Sequence, residues 1–149
     1  MTIALRRRTD GPPLPDFEYF AKTPPQDRQR MPQESFAAKY GAHAEDIARV
    51  EEFVRSHGLT VVAANAAGRT VQVRGSVEQM SRAFGVTLNR YRHTILRQKE
   101  CRATEEIYRG RDGFIHLPAE LREIVVGVFG LDNRTIAQRN ANDPPGTAR

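Results

Sequence analysis

Three features of the 149-residue sequence predict an α+β fold. Two stretches, 44–57 and 76–85, repeat apolar residues at the helical period. Four short runs, 2–8, 59–63, 70–74 and 86–92, are β-branched or alternate at the strand period. Their order is strand, helix, strand, strand, helix, strand. That order is the ferredoxin-like split βαβ pattern: an antiparallel sheet with two helices on one face. An extra hairpin region and a C-terminal strand complete the expected fold.

In the first run Ile3 and Leu5 point to one side, and Thr2 and Ala4 to the other. Residues 11–32 are rich in Pro, Asp, Gln and Arg and read as a long exposed connection. A short helix follows. Pro32 suits its first position, Phe36 and Tyr40 share a face, and Gly41 stops it. The clearest helix is 44–57, where Ile47, Val50 and Val54 form a stripe with Phe53 beside it. Glu45 and Asp46 in its first turn complement the helix dipole. Runs 59–63 and 70–74 flank Asn65 to Gly68 and predict a hairpin. Ser76 and Gln79 have capping-box spacing, Val77, Met80, Ala83 and Phe84 form the next buried stripe, and Gly85 ends that helix. In 86–92, Val86 and Leu88 face inward and Thr87, Asn89 and Tyr91 outward.

Residues 94–106 are polar, carry Cys101 and predict a loop; 108–114, with Gly110 and Gly113, predict a turn region. Residues 118–122 suit one helical turn, and IVVGVF at 124–129 a further strand. Pattern alone leaves open whether 86–92 or 124–129 completes the four-stranded sheet. From residue 135 the apolar pattern stops, and Pro144-Pro145-Gly146 marks a tail or linker over 135–149. The expected core is Ile47, Val50, Val54, Val71, Val73, Met80, Phe84, Val86 and Leu88.

With 39% hydrophobic and 28% charged residues, the balance is that of one globular domain. No run of 18 apolar residues occurs, so nothing is expected to span a membrane. Residues 1–8 lack the apolar centre of a signal peptide. That leaves a cytosolic chain, a leader outside this sequence, or another export route. The single cysteine, Cys101, permits neither an intrachain disulfide nor a cysteine-based metal site. The net charge of +5 and a pI of about 9.9 favour an acidic partner: nucleic acid, anionic membrane or acidic protein.

Chemistry-bearing residues show no catalytic pattern. His43, His57, His93 and His116 lack metal-ligand spacing; surface or capping roles are expected, with His93 the best placed as a pH sensor. Glu51-Glu52 and Glu105-Glu106 are adjacent only in sequence, whereas acid–base catalysis needs a shared pocket. Lys99 and Arg102 could favour a Cys101 thiolate, but an incidental thiol is the simpler reading. Arg6-Arg7-Arg8 and Arg109 with Arg111 could contact nucleic acid. An RNA-recognition sheet, however, stacks bases on aromatics, and 70–74 has none. A small acyl-phosphate hydrolase would need free amides after the first strand, where Gly11-Pro12-Pro13 supplies few. No cofactor is expected. With both helices on one face, the other sheet face is open, and alternation puts Thr2, Ala4, Gln72, Arg74, Thr87, Asn89 and Tyr91 on it. Small and polar side chains with one aromatic suit a docking surface.

Several stretches resemble one family in order and spacing. They are FAAKYGA (36–42) with Glu45-Asp46-Ile47, VRSHGLTVV (54–62) and TVQVRGSVEQMSRAFGVTLNRYRH (70–93). YRGRDG (108–113), LPAEL (117–121) and GLDNR (130–134) follow. Together they are similar to the activation prodomain of sedolisin-type serine-carboxyl peptidase precursors, the pro-kumamolisin kind. Three departures stand out: His43 where a Ser, Thr or Asn cap is expected, no hydroxyl cap before the first short helix, and a longer segment at 94–107. The resemblance implies a prodomain over 1–134 and a linker over 135–149 toward a catalytic domain absent from this stretch. It implies a secreted, acid-activated precursor whose prodomain assists folding, covers the active site and is removed autocatalytically. The partner would be the cognate catalytic domain, met through Gln72, Arg74, Thr87, Asn89 and Tyr91. The family's Ser-Glu-Asp triad and calcium site would lie in that domain. Its nucleophile sits in Gly-Thr-Ser, and here Gly146-Thr147 is followed by Ala148, so no catalytic residue is assigned. The rival reading is a basic ferredoxin-like nucleic-acid-binding module.

Overall fold

The computed structural model of the chain describes residues 1–28, 30–97 and 102–134. Strand β1 (Thr2–Leu5) opens the chain, followed by a six-residue helix α1 (Phe17–Lys22), α2 (Gln33–Tyr40) and α3 (Ala44–Ser56). A hairpin of β2 (Thr60–Asn65) and β3 (Thr70–Arg74) leads to α4 (Val77–Phe84). Two eleven-residue strands, β4 (Thr87–Arg97) and β5 (Arg102–Asp112), precede β6 (Val125–Phe129). Four strands form one antiparallel sheet in the order β2-β3-β1-β6; β4 and β5 form a separate two-stranded ribbon.

This is the α+β, ferredoxin-like arrangement that the element order predicts, and it resolves the open point: β6, not the run 86–92, is the fourth strand. The reason is register. Ile3 stands between Val71 and Val128, so one row of inward β-branched side chains crosses three strands. Helices α3 and α4 cover that face. Val50 and Val54 of α3, Phe84 of α4, Ile3, Leu5 and Val71 are fully buried, and Phe53 meets Phe84 edge-on at 5.9 Å. Seven of the nine expected core residues are buried. Ile47 and Leu88 are half-buried, packing at the rim of the core. Val77, expected in the α4 stripe, is exposed: it sits at the first helical position and lines a notch beside the ribbon.

Three expectations change. The connection 11–32 contains α1, whose N-terminus is capped by the Asp16 carboxylate accepting from the Tyr19 N–H at 2.8 Å. The predicted loop at 94–106 and turn region at 108–114 are largely strand, since they pair along the whole of β4 from Thr87↔Asp112 to Arg97↔Arg102. Thr87, Asn89 and Tyr91 therefore lie on the ribbon, not on the four-stranded sheet where alternation alone placed them. Cys101 and the tail at 135–149 lie outside the described residues.

Candidate docking surface

The face of the sheet opposite α3 and α4 carries the candidate site. Strand alternation and register lay out its side chains in rows. Phe129, Thr2, Gln72 and Ala63 form one row across four strands; Gly127, Ala4, Thr70 and Asn65 form the next; Arg74 stands opposite Thr60. Of the residues singled out from sequence, Gln72 and Arg74 are here and exposed, with Thr2 and Ala4 half-buried between them. Thr87, Asn89 and Tyr91 are on the ribbon, which meets the sheet at one corner. There Arg109 of β5 joins Thr2, Val62, Gln72 and Arg74 around a hollow of about 480 Å³.

The sequence reading missed the apolar members of this face. Phe129 is 61% exposed, and its ring lies over Gly127, where an added Cβ would stand 2.8 Å from a ring carbon. Val62 and Val126 are also exposed, each the extra residue of a β-bulge: Val62 between Val61 and Ala63, Val126 opposite the Ala4/Leu5 step. Once β6 is known to pair with β1, the alternation Gly127–Phe129 is enough to find Phe129. The bulges cannot be found that way, because strict alternation assumes that none exists.

Two arginine–aspartate pairs brace the surrounding frame. Arg6 grips Asp46 at the start of α3 with Nε to Oδ2 at 2.8 Å and Nη2 to Oδ1 at 3.0 Å. This pair raises the Arg6 pKa, chiefly through the hydrogen bond to Asp46. Arg8 makes a second fork onto Asp10 at 2.7 and 2.8 Å, and that guanidinium holds the Asp10 carboxyl down to about 2. The histidines take structural places. His43 caps α3, its Nδ1 accepting from the Glu45 N–H at 3.3 Å, which supplies the cap that its residue type did not announce. His57 lies 4.6 Å from the Phe53 ring at the other end of α3. His93 stands opposite Glu106 on the ribbon.

The chain leaves the sheet along the ribbon. Arg109 donates from its backbone N–H to Asn133 Oδ1 at 2.6 Å, and its guanidinium reaches the carbonyls of Leu131 at 2.9 Å and Gly130 at 2.7 Å. Asn133 returns a backbone bond to the Arg109 carbonyl at 3.0 Å. Two separate sequence stretches, YRGRDG and GLDNR, are thus the two halves of one contact. A family model for the pro-kumamolisin activation domain matches residues 1–134, the whole of this frame up to that contact.

The chain belongs to the pro-kumamolisin activation-domain family. Two curated relatives agree. Tripeptidyl-peptidase sed5 of Aspergillus fumigatus is 33% identical over 155 aligned residues, covering 99% of this chain and 27% of the relative. Kumamolisin of Bacillus sp. strain MN-32 is 32% identical over 138, covering 93% of this chain and 23% of the relative. This activation domain therefore spans about a quarter of the length of the curated relatives it matches. Among its described residues, no helix is long and apolar enough to cross a membrane.

Proposed function

We propose that this activation domain is the propeptide of a secreted, acid-activated serine-carboxyl peptidase. In this reading it helps the catalytic domain to fold, occludes the active site, and is cut away autocatalytically through the linker at 135–149. The catalytic residues and the calcium site then belong to the catalytic domain, and residues 1–134 bind without catalysing. One observation carries the reading: in a member of this family, one sheet face is sealed by α3 and α4 while the other presents Phe129, Val62, Gln72 and Arg74 to solvent. An aromatic and a valine amid small and polar residues make a surface that gains by being covered. A complex of standard size would bury about 1,600 Å² in total.

The test is inhibition in trans. The chain is added to the separately produced peptidase region of its precursor, and the inhibition constant is measured for the wild type, Phe129→Ala and Gln72→Ala. Phe129→Ala is expected to weaken inhibition about tenfold, as truncation of an interface aromatic does, with the melting temperature unchanged. Inhibition that no sheet-face substitution alters would remove this face from the complex. An inactive wild type would reject the propeptide reading.

A further inference from the structure

The β4–β5 ribbon meets the sheet face at the Arg109 corner, and its two sides differ. Directly opposed residues share a side. One side carries the pairs Asn89–Gly110 and Tyr91–Tyr108, with the two tyrosine rings stacked at 5.5 Å. The other carries Leu88–Arg111, Arg90–Arg109 and Arg92–Ile107. Between residues 87 and 112 lie seven basic and four acidic residues, so this stretch holds three of the chain's five net positive charges. Arg90 and Arg109 are like charges face to face, an arrangement that destabilises a strand pair on its own. Arg109 is turned toward the carbonyls of Gly130 and Leu131, and Arg111 donates to the Gly113 carbonyl at 2.9 Å. Arg90 has no ion pair among the described residues. Ile107, on the same side, is 54% exposed. Val77, Leu88, Arg90 and Ile107 enclose a notch of about 380 Å³ between α4 and the ribbon root.

We propose that this side of the ribbon is a second docking arm, distinct from the sheet face, that takes an acidic surface of the peptidase region following this domain. The proposal rests on the propeptide reading above. The notch suits an apolar side chain flanked by a carboxylate: Val77, Leu88 and Ile107 supply the floor and Arg90 the counter-charge. The exit path selects the occupant. Asn133 pairs with Arg109 of β5 and lines the notch, so whatever follows begins at the arm's root, and tethering keeps it at high effective concentration there. A two-stranded ribbon is only marginally stable alone, and β4 is exposed from Asn89 through Thr94. A partner along this side would hold the ribbon and compensate the opposed arginines.

The experiment measures binding of the 149-residue chain to the separately produced peptidase region at about 50 mM and about 500 mM salt. It compares wild type, Arg90→Glu/Arg92→Glu, the milder Arg90→Gln, and Phe129→Ala. The double reversal is expected to bind about tenfold more weakly at low salt, with the gap closing at high salt. Arg92 also pairs with Glu105 at 3.7 Å, a contact that the double variant loses and Arg90→Gln keeps; Arg90→Gln should move the same way by about twofold. Affinities and salt slopes of both arginine variants equal to wild type, with Phe129→Ala weakened, would overturn the arm and leave the propeptide reading standing. No binding by wild type would overturn both. Tighter capture of a short DNA or RNA duplex than of the peptidase region would overturn the arm in favour of a nucleic-acid surface.

Discussion

Arg6 and Asp46 are forty positions apart and meet in a two-bond fork that ties β1 to the first turn of α3. Asp46 is 4% exposed, so Asp46→Asn keeps the shape but turns one carboxylate acceptor into an NH2 donor facing the Arg6 guanidinium. Asp46→Asn is expected to lower stability by about 1–2 kcal/mol, read from urea unfolding. Phe84, fully enclosed, is expected to cost about 3–5 kcal/mol when cut to alanine. An equal loss at the exposed Phe129 would contradict its assignment to the surface. Arg8–Asp10 has a definite pH signature. The folded Asp10 pKa of about 2 lies below the ordinary carboxylate value near 3.9. Its contribution is therefore complete above that ordinary value and is lost as pH falls from about 4 through about 2. Asp10→Asn should then lie slightly below wild type at pH 6, with the difference vanishing by pH 2; thermal unfolding across that range checks it. The effect is small because the pair is open to water. At this scale the burial of Phe84 was legible from helical spacing. The His43 cap was not, because an imidazole accepts from an N–H only when its ring is turned to do so.

The bounds and caps of helix α4 were legible, and so was its buried stripe apart from Val77. Ser76 Oγ accepts from the Gln79 N–H, Gln79 Oε1 accepts from the Ser76 N–H, and Gly85 closes the helix at φ 60°. Each of these depends on neighbours three to nine residues apart, which the sequence displays. The structure adds that Gln79 Nε2 donates to the Gly58 carbonyl at 2.8 Å, locking α4 to the end of α3. The ribbon was not legible. Its second strand reads as loop because its composition is polar, and its support comes from β4 across the gap rather than from a buried face. Gly110 shows the dependence. An added Cβ there would stand 2.7 Å from the Tyr91 ring. Gly110→Val is expected to push that ring aside and speed amide exchange at 87–94 and 105–112, leaving the four-stranded core protected. Unchanged exchange in the ribbon would show that the Tyr91–Gly110 contact does not hold it.

For the molecule as a whole, the net charge of +5 sets how a complex should respond to acid. Carboxylates on a partner are ionised near pH 7 and approach neutrality toward pH 4, while arginine stays charged. Affinity for the peptidase region is expected to fall between pH 7 and pH 3.5, and to fall less at high salt, where the attraction is already screened. An inhibition constant flat across that range would reject carboxylate titration as the release step. The sequence by itself determined the α+β class, the two helices on one face, most of the core and the family. These follow from periodicity, capping and motif order, all written in local spacing. Only the tertiary structure decided which strand completes the sheet, and so which residues share its open face. It moved Thr87, Asn89 and Tyr91 onto a separate ribbon, set Phe129 in one row with Thr2 and Gln72, and joined Arg109 to Asn133. Each of those outcomes depends on pairing between segments far apart in the chain. Partner and register are set by the summed burial of several strands at once, a quantity that no single window of sequence contains.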